Sequence, residues 1–341
     1  MASFIDSALT WIGSSKAGQC FADLDGKLDL LPQQTANGLM LGGVYVMVAV
    51  SFTLIIGTLN FLNFTVPALF MVGAVMMWAS ISGGFGSGAD QVMTAIVGPG
   101  NQWVLGIVVA LVVVSLCSLV IERFTYRYMK AKYGDATEHA LPLVSSLGFL
   151  IIFEHVVITI WGSDSLTATS PFGNSSFYIG SIQFSTPQVI SLLVSLGFVF
   201  ALSYMLKATR LGRALRSIAE KPDTAPLMGV EVGRIVPIVY VLAGLLCGIA
   251  GILFTLNYTT VDAYVGDTVA TIAIAGMVIG GLGNVWGAVI GGLIVAMLQI
   301  YATHFCGAGV VKIPVWGLLL LILIFKPTGL FGHSAIGKGK F

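Results

Sequence analysis

Apolar positions along this chain fall in long unbroken runs rather than in alternation. Such runs cover roughly residues 37–57, 60–80, 103–121, 141–161, 188–206, 235–256, 268–283, 285–303 and 312–325. Runs of about 18 or more residues exceed what a soluble core helix needs and match a hydrocarbon layer about 30 Å thick. Lipid offers no partner to a backbone N–H or C=O, so a spanning segment is either a helix or part of a closed barrel. Runs this long without alternation exclude the barrel. The pattern predicts an all-α polytopic transmembrane helical bundle of about 8–10 spans; we count nine, two of them short.

One polar stretch interrupts the pattern. Residues 207–234, KATRLGRALRSIAEKPDTAPLMGVEVGR, carry six of the 16 Lys and Arg residues in a chain that is 57% apolar and only 9% charged. This island must stay wet while both its flanks enter lipid, and it reads as a face turned toward a cytoplasmic partner. Arg210, Arg213 and Arg216 recur every three residues, so on a helix they form one stripe suited to lipid phosphates or to acidic side chains. An ordinary wet loop whose cations only fix topology is the plainer alternative.

Loops rich in Lys and Arg remain cytoplasmic. With nine spans and a cytoplasmic C-terminus, the inner segments hold Arg123, Arg127, Lys130, Lys132, the island cations, Lys326, Lys338 and Lys340, leaving only Lys16, Lys27 and Lys312 outside. The N-terminus is thus expected outside. Trp78, Trp103 and Trp161 then fall at the outer ends of the second, third and fourth spans, as an interfacial aromatic belt requires.

The expected organisation is an outer arm over 1–34, a membrane domain over 35–332 enclosing the island, and a cytoplasmic tail over 333–341. The arm lacks the basic opening and apolar core of a cleavable signal peptide. Its Phe4, Ile5, Ala8, Leu9, Trp11 and Ile12 make one face of a short surface helix, a disordered arm being the alternative. Cys117 and Cys247 fall inside spans as small core residues. Cys20 and Cys306 both land outside, where either a disulfide or two free thiols would stand. No Cys or His cluster has metal-ligand spacing, and no metal or cofactor is expected in this chain.

Enzyme signatures are missing too. The Gly26-Lys27 and Gly337-Lys338 pairs lack both the preceding glycine and the following hydroxyl of a phosphate loop, so any nucleotide hydrolysis belongs to another chain. There is no G-x-S-x-G elbow and no pair of intramembrane aspartates.

Much of the glycine, 42 residues in all, sits within spans at helical spacing and suits close helix packing. Two junctions look interrupted: Gly57, Asn60, Asn63 and Pro67 between the first two spans, and Gly280, Gly281, Gly283, Asn284 and Gly287 between the seventh and eighth. Broken helices are tolerated in membranes where protein or a water path covers them, which suggests a transport route; tight cytoplasmic turns are the alternative. Polar residues inside spans are candidates for that route: Asn37, Asn60, Asn63 and Glu154, the last read as the one carboxylate well inside a span. Glu154 either makes an interhelical hydrogen bond or meets a substrate ammonium or amide. Asn257 and Tyr258, just outside the sixth span, are either part of an outer mouth or loop residues.

Several separated motifs in order resemble the membrane subunits of branched-chain amino-acid ABC importers, a family that includes urea and short-amide permeases. They are ANGLMLGGVYVMVAVSFTLIIGTLNFLNF at the first span, LFMVGA at 69–74, TRLGRALRSIAEKPDTAPLMGV in the island, IAGMVIGGLGNVWGAVIGGL near the end, and KPTGLFG at 326–332. One departure falls beside a predicted pathway helix. Where the family pattern continues from Asn-Phe with a small residue, His, Gly and an acid, this chain has Thr65, Val66, Pro67 and Ala68.

The resemblance implies a bundle like those of the cobalamin-type or ribose-type importers, with one or two re-entrant half-helices. It implies an ATPase-coupling segment, with Asp223-Thr224-Ala225 and Gly229 resembling a degenerate form of the family's docking pattern. Ala225, Leu227, Met228 and Val230 would offer an apolar ridge, and Glu220, Lys221, Asp223 and Glu231 a polar rim beside Arg213 and Arg216. The implied partners are a second permease subunit, homologous or identical, two cytoplasmic ATPase subunits that bind ATP and Mg, a periplasmic substrate-binding protein, and membrane lipid, with no nucleic acid. The implied function is alternating-access import across a bacterial inner membrane of a small polar solute, by default a branched-chain or other hydrophobic amino acid. The rivals are a urea or short-amide ABC permease, an autonomous channel or facilitator, and an ion-coupled secondary transporter; the last would carry more intramembrane carboxylates.

Overall fold

The computed structural model of the chain describes residues 28–59, 61–85, 96, 102–128, 140–168, 171, 176–179, 182–220, 224–258 and 260–332. Among them are ten α-helices: α1 Leu31–Leu59, α2 Thr65–Ser82, α3 Gln102–Glu122, α4 Ala140–Trp161, α5 Thr186–Ala208, α6 Arg210–Glu220, α7 Val232–Tyr258, α8 Val265–Gly280, α9 Val285–Cys306 and α10 Lys312–Phe325. Nine coincide with the nine apolar runs, and α6 lies in the basic island. Seven helices are long and apolar enough to cross a membrane. The 16 residues of α8 and 14 of α10 reach about 24 and 21 Å at 1.5 Å per residue, less than the hydrocarbon thickness. The proposed N-terminal surface helix, Cys20 and the C-terminal tail lie outside the described residues.

Two small antiparallel ladders were not expected from hydropathy: β1 Leu166–Thr167 pairs with β4 Thr260–Val261, and β2 Ser176–Ile179 with β3 Ile182–Ser185. They gather one end of the bundle. There Gln33 Nε2 donates to the Gln183 carbonyl (2.9 Å) while Gln183 N donates to Gln33 Oε1 (2.7 Å), and Thr35 shares a hydrogen bond with Tyr301. Trp78 Nε1 donates to Thr167 O and Trp161 Nε1 to Gly84 O, which places two of the three indoles of the expected belt at this hairpin end. The island, Arg127 and the turns after α1 and α8 lie at the opposite, basic end. The chain therefore alternates between two ends, as the span count predicts.

The enclosed helices are α1, α2 and α7. The outer helices α3, α4, α5 and α10 leave apolar side chains exposed, and on α3 Val104, Val108, Val112, Leu116 and Val120 recur every four residues as one stripe. Such helices are apolar all round because lipid covers the face that protein does not. With no aqueous hydrophobic drive between helices, contact rests on small residues and polar ties. A Cβ on Gly73 of α2 would stand 2.8 Å from Gly248 Cα of α7, and one on Gly291 of α9 would strike the Gly276 carbonyl of α8, so backbone meets backbone at both crossings. Buried hydroxyls add ties to α7: Ser51 Oγ of α1 donates to Ala243 O (2.8 Å), Thr255 Oγ1 of α7 to Ala74 O of α2 (3.0 Å), and Ser118 Oγ of α3 to Tyr240 O.

Pro237 lies inside α7 and has no N–H to give to the carbonyl four residues earlier. That carbonyl, Gly233 O, accepts instead from Arg127 Nη2 at 2.8 Å. Arg127 closes a π-helical turn, Arg123–Arg127, that extends α3, and its Nε stands 3.9 Å from the buried Glu122 carboxylate. A proline-freed acceptor and a buried acid thus share one cation at the basic end.

Candidate functional site

The island folds from its own sequence. Thr209 has extended backbone angles, and its Oγ1 accepts from Gly212 N at 3.3 Å, capping α6 where α5 ends. A Cβ on Gly212 would strike the Leu206 carbonyl, so the sharp turn back requires glycine there. Along α6, Gly212, Leu215 and Ile218 are buried, while Arg210, Arg213, Arg216 and Glu220 are exposed. The arginine stripe is therefore real, and α6 is amphipathic with its cations outward.

Residues 221–223, including Lys221 and Asp223, lie outside the described residues. After Thr224, Ala225 leads into a single 3-10 turn, Pro226–Met228, closed by Gly229 at φ 80. Met228 N and Val230 N both donate to Ala225 O, and Gly229 N donates to Pro226 O (3.0 Å). Leu227 is 84% and Met228 82% exposed, whereas Ala225 is only 2% exposed. This corrects the expected ridge. Ala225 anchors the turn from inside, and the protruding apolar knob is Leu227 with Met228. Glu231 belongs to the rim and pairs with Arg234 at 3.1 Å.

A cavity of about 330 Å³ opens at the basic end between α1, the α5–α6 corner and the turn before α9, lined by Gly57, Lys207, Arg216 and Asn284. Trp286 closes one wall, with Nε1 donating to Ser203 Oγ (3.0 Å) and Lys207 Nζ 6.0 Å from the ring centroid. The interrupted junctions connect α1 to α2 and α8 to α9. Gly281 (φ 110) and Gly283 (φ 80) shape the turn between α8 and α9, and a Cβ on Gly57 would lie 3.1 Å from Gly283 Cα, so the end of α1 packs on that turn. The closing KPTGLFG segment locks it: Leu330 N donates to Ile279 O and Phe331 N to Gly280 O, satisfying the last carbonyls of α8.

The other expected pathway residues separate. Asn60 lies outside the described residues. Asn63 is wholly buried just before the head of α2, where its Oδ1 accepts from Thr65 N (2.9 Å) and Thr65 Oγ1 (2.7 Å) while its buried Nδ2 has no partner. Pro67 is buried in the first turn of α2, where its missing N–H costs nothing. Asn37 accepts from Gln33 Nε2 (3.2 Å) and lines a cavity of about 230 Å³ at the hairpin end, with Gln188, Asn257 and Tyr258. Asn257 Nδ2 donates to Ser191 Oγ and Leu253 O, while its buried Oδ1 has no partner. Asn257 and Tyr258 are thus the last turn of α7 rather than loop. A neighbouring cavity of about 430 Å³ shares Leu41, Tyr258 and Ile300 and adds Thr268, Thr271 and Lys312.

Glu154 is not alone. Helix α8 begins at Val265, three residues before the apolar run that predicts it, so Asp267 joins its first turn as a further carboxylate on the helical bundle, besides Glu154 and the buried Glu122 at the end of α3. The expected span edge hid it. His155 points elsewhere, its Nδ1 meeting Ile151 O of its own helix. Among the described residues, no group of three or more His, Cys, Asp or Glu could hold a metal ion.

A family model described as "Branched-chain amino acid transport system / permease component" matches residues 34–325. The chain is 26% identical to the high-affinity branched-chain amino acid transport system permease protein LivH of Salmonella typhimurium over 314 residues, 90% of this chain and 97% of that one. LivH of Escherichia coli K12 is 27% identical over the same shares, and BraD of Pseudomonas aeruginosa 26% over 312 residues. No solved structure matches the chain.

Proposed function

Because this chain belongs to the branched-chain amino acid transport system permease family, we propose that it is the membrane subunit of an ATP-driven importer carrying branched-chain or other hydrophobic amino acids inward by alternating access. It is a multi-pass membrane protein of the inner membrane. By the positive-inside rule the basic end faces the cytoplasm, and the hairpin end meets a periplasmic substrate-binding protein. A second permease, homologous or identical, completes the path. Two ATPase subunits bind ATP and Mg and supply the power, while this chain hydrolyses nothing.

The observation that carries this reading is the Leu227–Met228 knob. Two large apolar side chains stand free at the basic end, on the same polar island that carries exposed Arg213, Arg216, Glu220 and Glu231. Unlike the exposed leucines of α10, they lie on a polar segment that lipid does not cover. An apolar centre with a charged rim fits a groove on a soluble partner. An autonomous channel or facilitator has no use for such a knob. Urea and short amides are the alternative cargo within the same architecture, and the ligand of the cognate receptor decides between them.

The test is co-expression with the cognate ATPases. Wild-type chain should bring the ATPases down on purification. Leu227→Asp and Gly229→Asp should retain expression and lose both ATPase co-purification and uptake. Unchanged uptake in both variants would refute the docking assignment.

A further inference from the structure

Glu154 lies on α4 at only 6% exposure, and the Asp267 carboxyl of α8 is the acidic group beside it. Glu154 Oε1 is buried and has no hydrogen-bond partner. His155 is the other titratable group beside it on α4, and its ring is exposed and tied to Ile151 O.

The pair lies at mid-depth in the bundle. Gly266 packs on the Pro67 carbonyl and on Met71 of α2, and Leu69 between them packs beside Gly244 of α7. Neighbouring Ala243 stands eleven residues from the start of α7, about 17 Å along the helix. At that depth two ionised carboxylates so close together would repel strongly, and Glu154 Oε1 has no donor to settle it. A positive group between them removes the repulsion and supplies the missing donor.

Asp267 itself is exposed, on an α8 stripe with Tyr264, Thr268 and Thr271. Hydrocarbon does not solvate a carboxylate, so this stripe faces a wet path. Thr268 and Thr271 carry it into the 430 Å³ cavity, whose remaining wall includes apolar Val315 and Trp316 and, at its rim, Lys312.

We propose that Glu154 and Asp267 form a cation-recognition site on the translocation path, receiving the primary ammonium of the passing solute between their carboxylates while its apolar part rests on the cavity wall. An ammonium offers three N–H donors, enough to bond both carboxylates at once. The proposal deepens the importer reading and rests on it for the solute's passage. Asp267 is the residue it adds to the path.

Two measurements test it, on the full-length chain in membrane vesicles. In Asp267→Cys, an ammonium-bearing methanethiosulfonate should modify the thiol about tenfold faster than a neutral one of similar size, relative to a free thiol in water. Adding Glu154→Gln should remove that preference; Thr271→Cys serves as reporter if Asp267→Cys does not fold. A preference untouched by Glu154→Gln overturns the proposal. In the assembled transporter with saturating receptor, Glu154→Gln and Asp267→Asn should each cut the maximal rate of leucine uptake about tenfold or more, with receptor-stimulated ATP hydrolysis retained and partial rescue by Glu154→Asp. Wild-type uptake by the Glu154→Gln, Asp267→Asn double variant would also overturn it. The labelling needs neither ATPase nor receptor, so a failed importer reading and a failed cation site give different results.

Discussion

Asn284 bridges the head of α9 and the end of the closing segment: its Oδ1 accepts from Trp286 N and Gly287 N, and its Nδ2 donates to the Phe331 carbonyl at 3.1 Å. One side chain therefore caps a helix and fastens the strand of backbone that in turn caps α8. Asn284→Ala removes all three bonds. It should lower stability by about 1–2 kcal/mol, read as a fall in the thermal midpoint of the detergent-purified chain. Asn284→Asp keeps the cap and loses only the Phe331 bond, so its loss should be smaller.

The Pro237–Gly233–Arg127 arrangement predicts a compensation. Arg127→Leu leaves Gly233 O without its donor and Glu122 without its nearest cation, and should destabilise by about 1–3 kcal/mol. Pro237→Ala restores an N–H four residues after Gly233. In the double variant, part of the Arg127→Leu loss should disappear, and a thermodynamic cycle on the two single and the double variants measures the coupling. Strict additivity would mean that the guanidinium does not substitute for the missing N–H.

Glycines on different faces should respond oppositely. Gly73→Leu forces a side chain between α2 and α7 where even a Cβ finds 2.8 Å to Gly248 Cα, and it should abolish a monodisperse product. Gly148→Leu on α4 meets nothing within 4 Å and should express like wild type. Fluorescence size-exclusion of tagged variants reads both.

Gly229 holds φ 80, a left-handed angle that costs a side-chain-bearing residue about 1 kcal/mol. Gly229→Ala meets no atom within 4 Å, so it should fold and retain ATPase binding at reduced strength. Leu227→Asp should lose binding outright without a change in thermal midpoint, because Leu227 is almost wholly exposed. Pull-down titration against the cognate ATPase separates the two.

Cys117 and Cys247 are free within the bundle, and Cys306 is disulfide-bonded. Cys20 is the remaining cysteine, so the outer pairing left open by the sequence becomes an expectation. Peptide mapping without reductant should recover a peptide linked through Cys20 and Cys306. Separate peptides with free thiols would rule the bridge out.

The nine apolar helices were legible because membrane burial demands long uninterrupted runs, a signal that survives errors at the edges. Edges were where reading failed. Placing the start of α8 three residues late left Asp267 in a loop, and with it the partner of Glu154. Asn63 shows what pattern leaves out: a polar residue among apolar neighbours reads as functional, and spacing does not reveal that its oxygen also serves the first N–H of α2. Ala225 shows the limit of pattern within the island. Small and apolar, it was grouped with Leu227 and Met228, but a 3-10 turn sends consecutive side chains about 120° apart, and only those two point out. The β2–β3 hairpin was invisible because Ser176–Ile179 and Ile182–Ser185 are too short and mixed to outweigh the apolar runs around them.

The glycine seam between α8 and α9 also constrains how such a machine moves. Where Gly276 and Gly280 meet Gly291, Gly292 and Gly287, no side chains lie between the two backbones to act as bearings. Sliding one helix past the other would drive carbonyl into carbonyl, so the hairpin must travel as a single lever, pivoting where looser side-chain contacts border it. A displacement imposed at the Gly283 turn, on the basic end, would then be carried along the same rod toward Asp267.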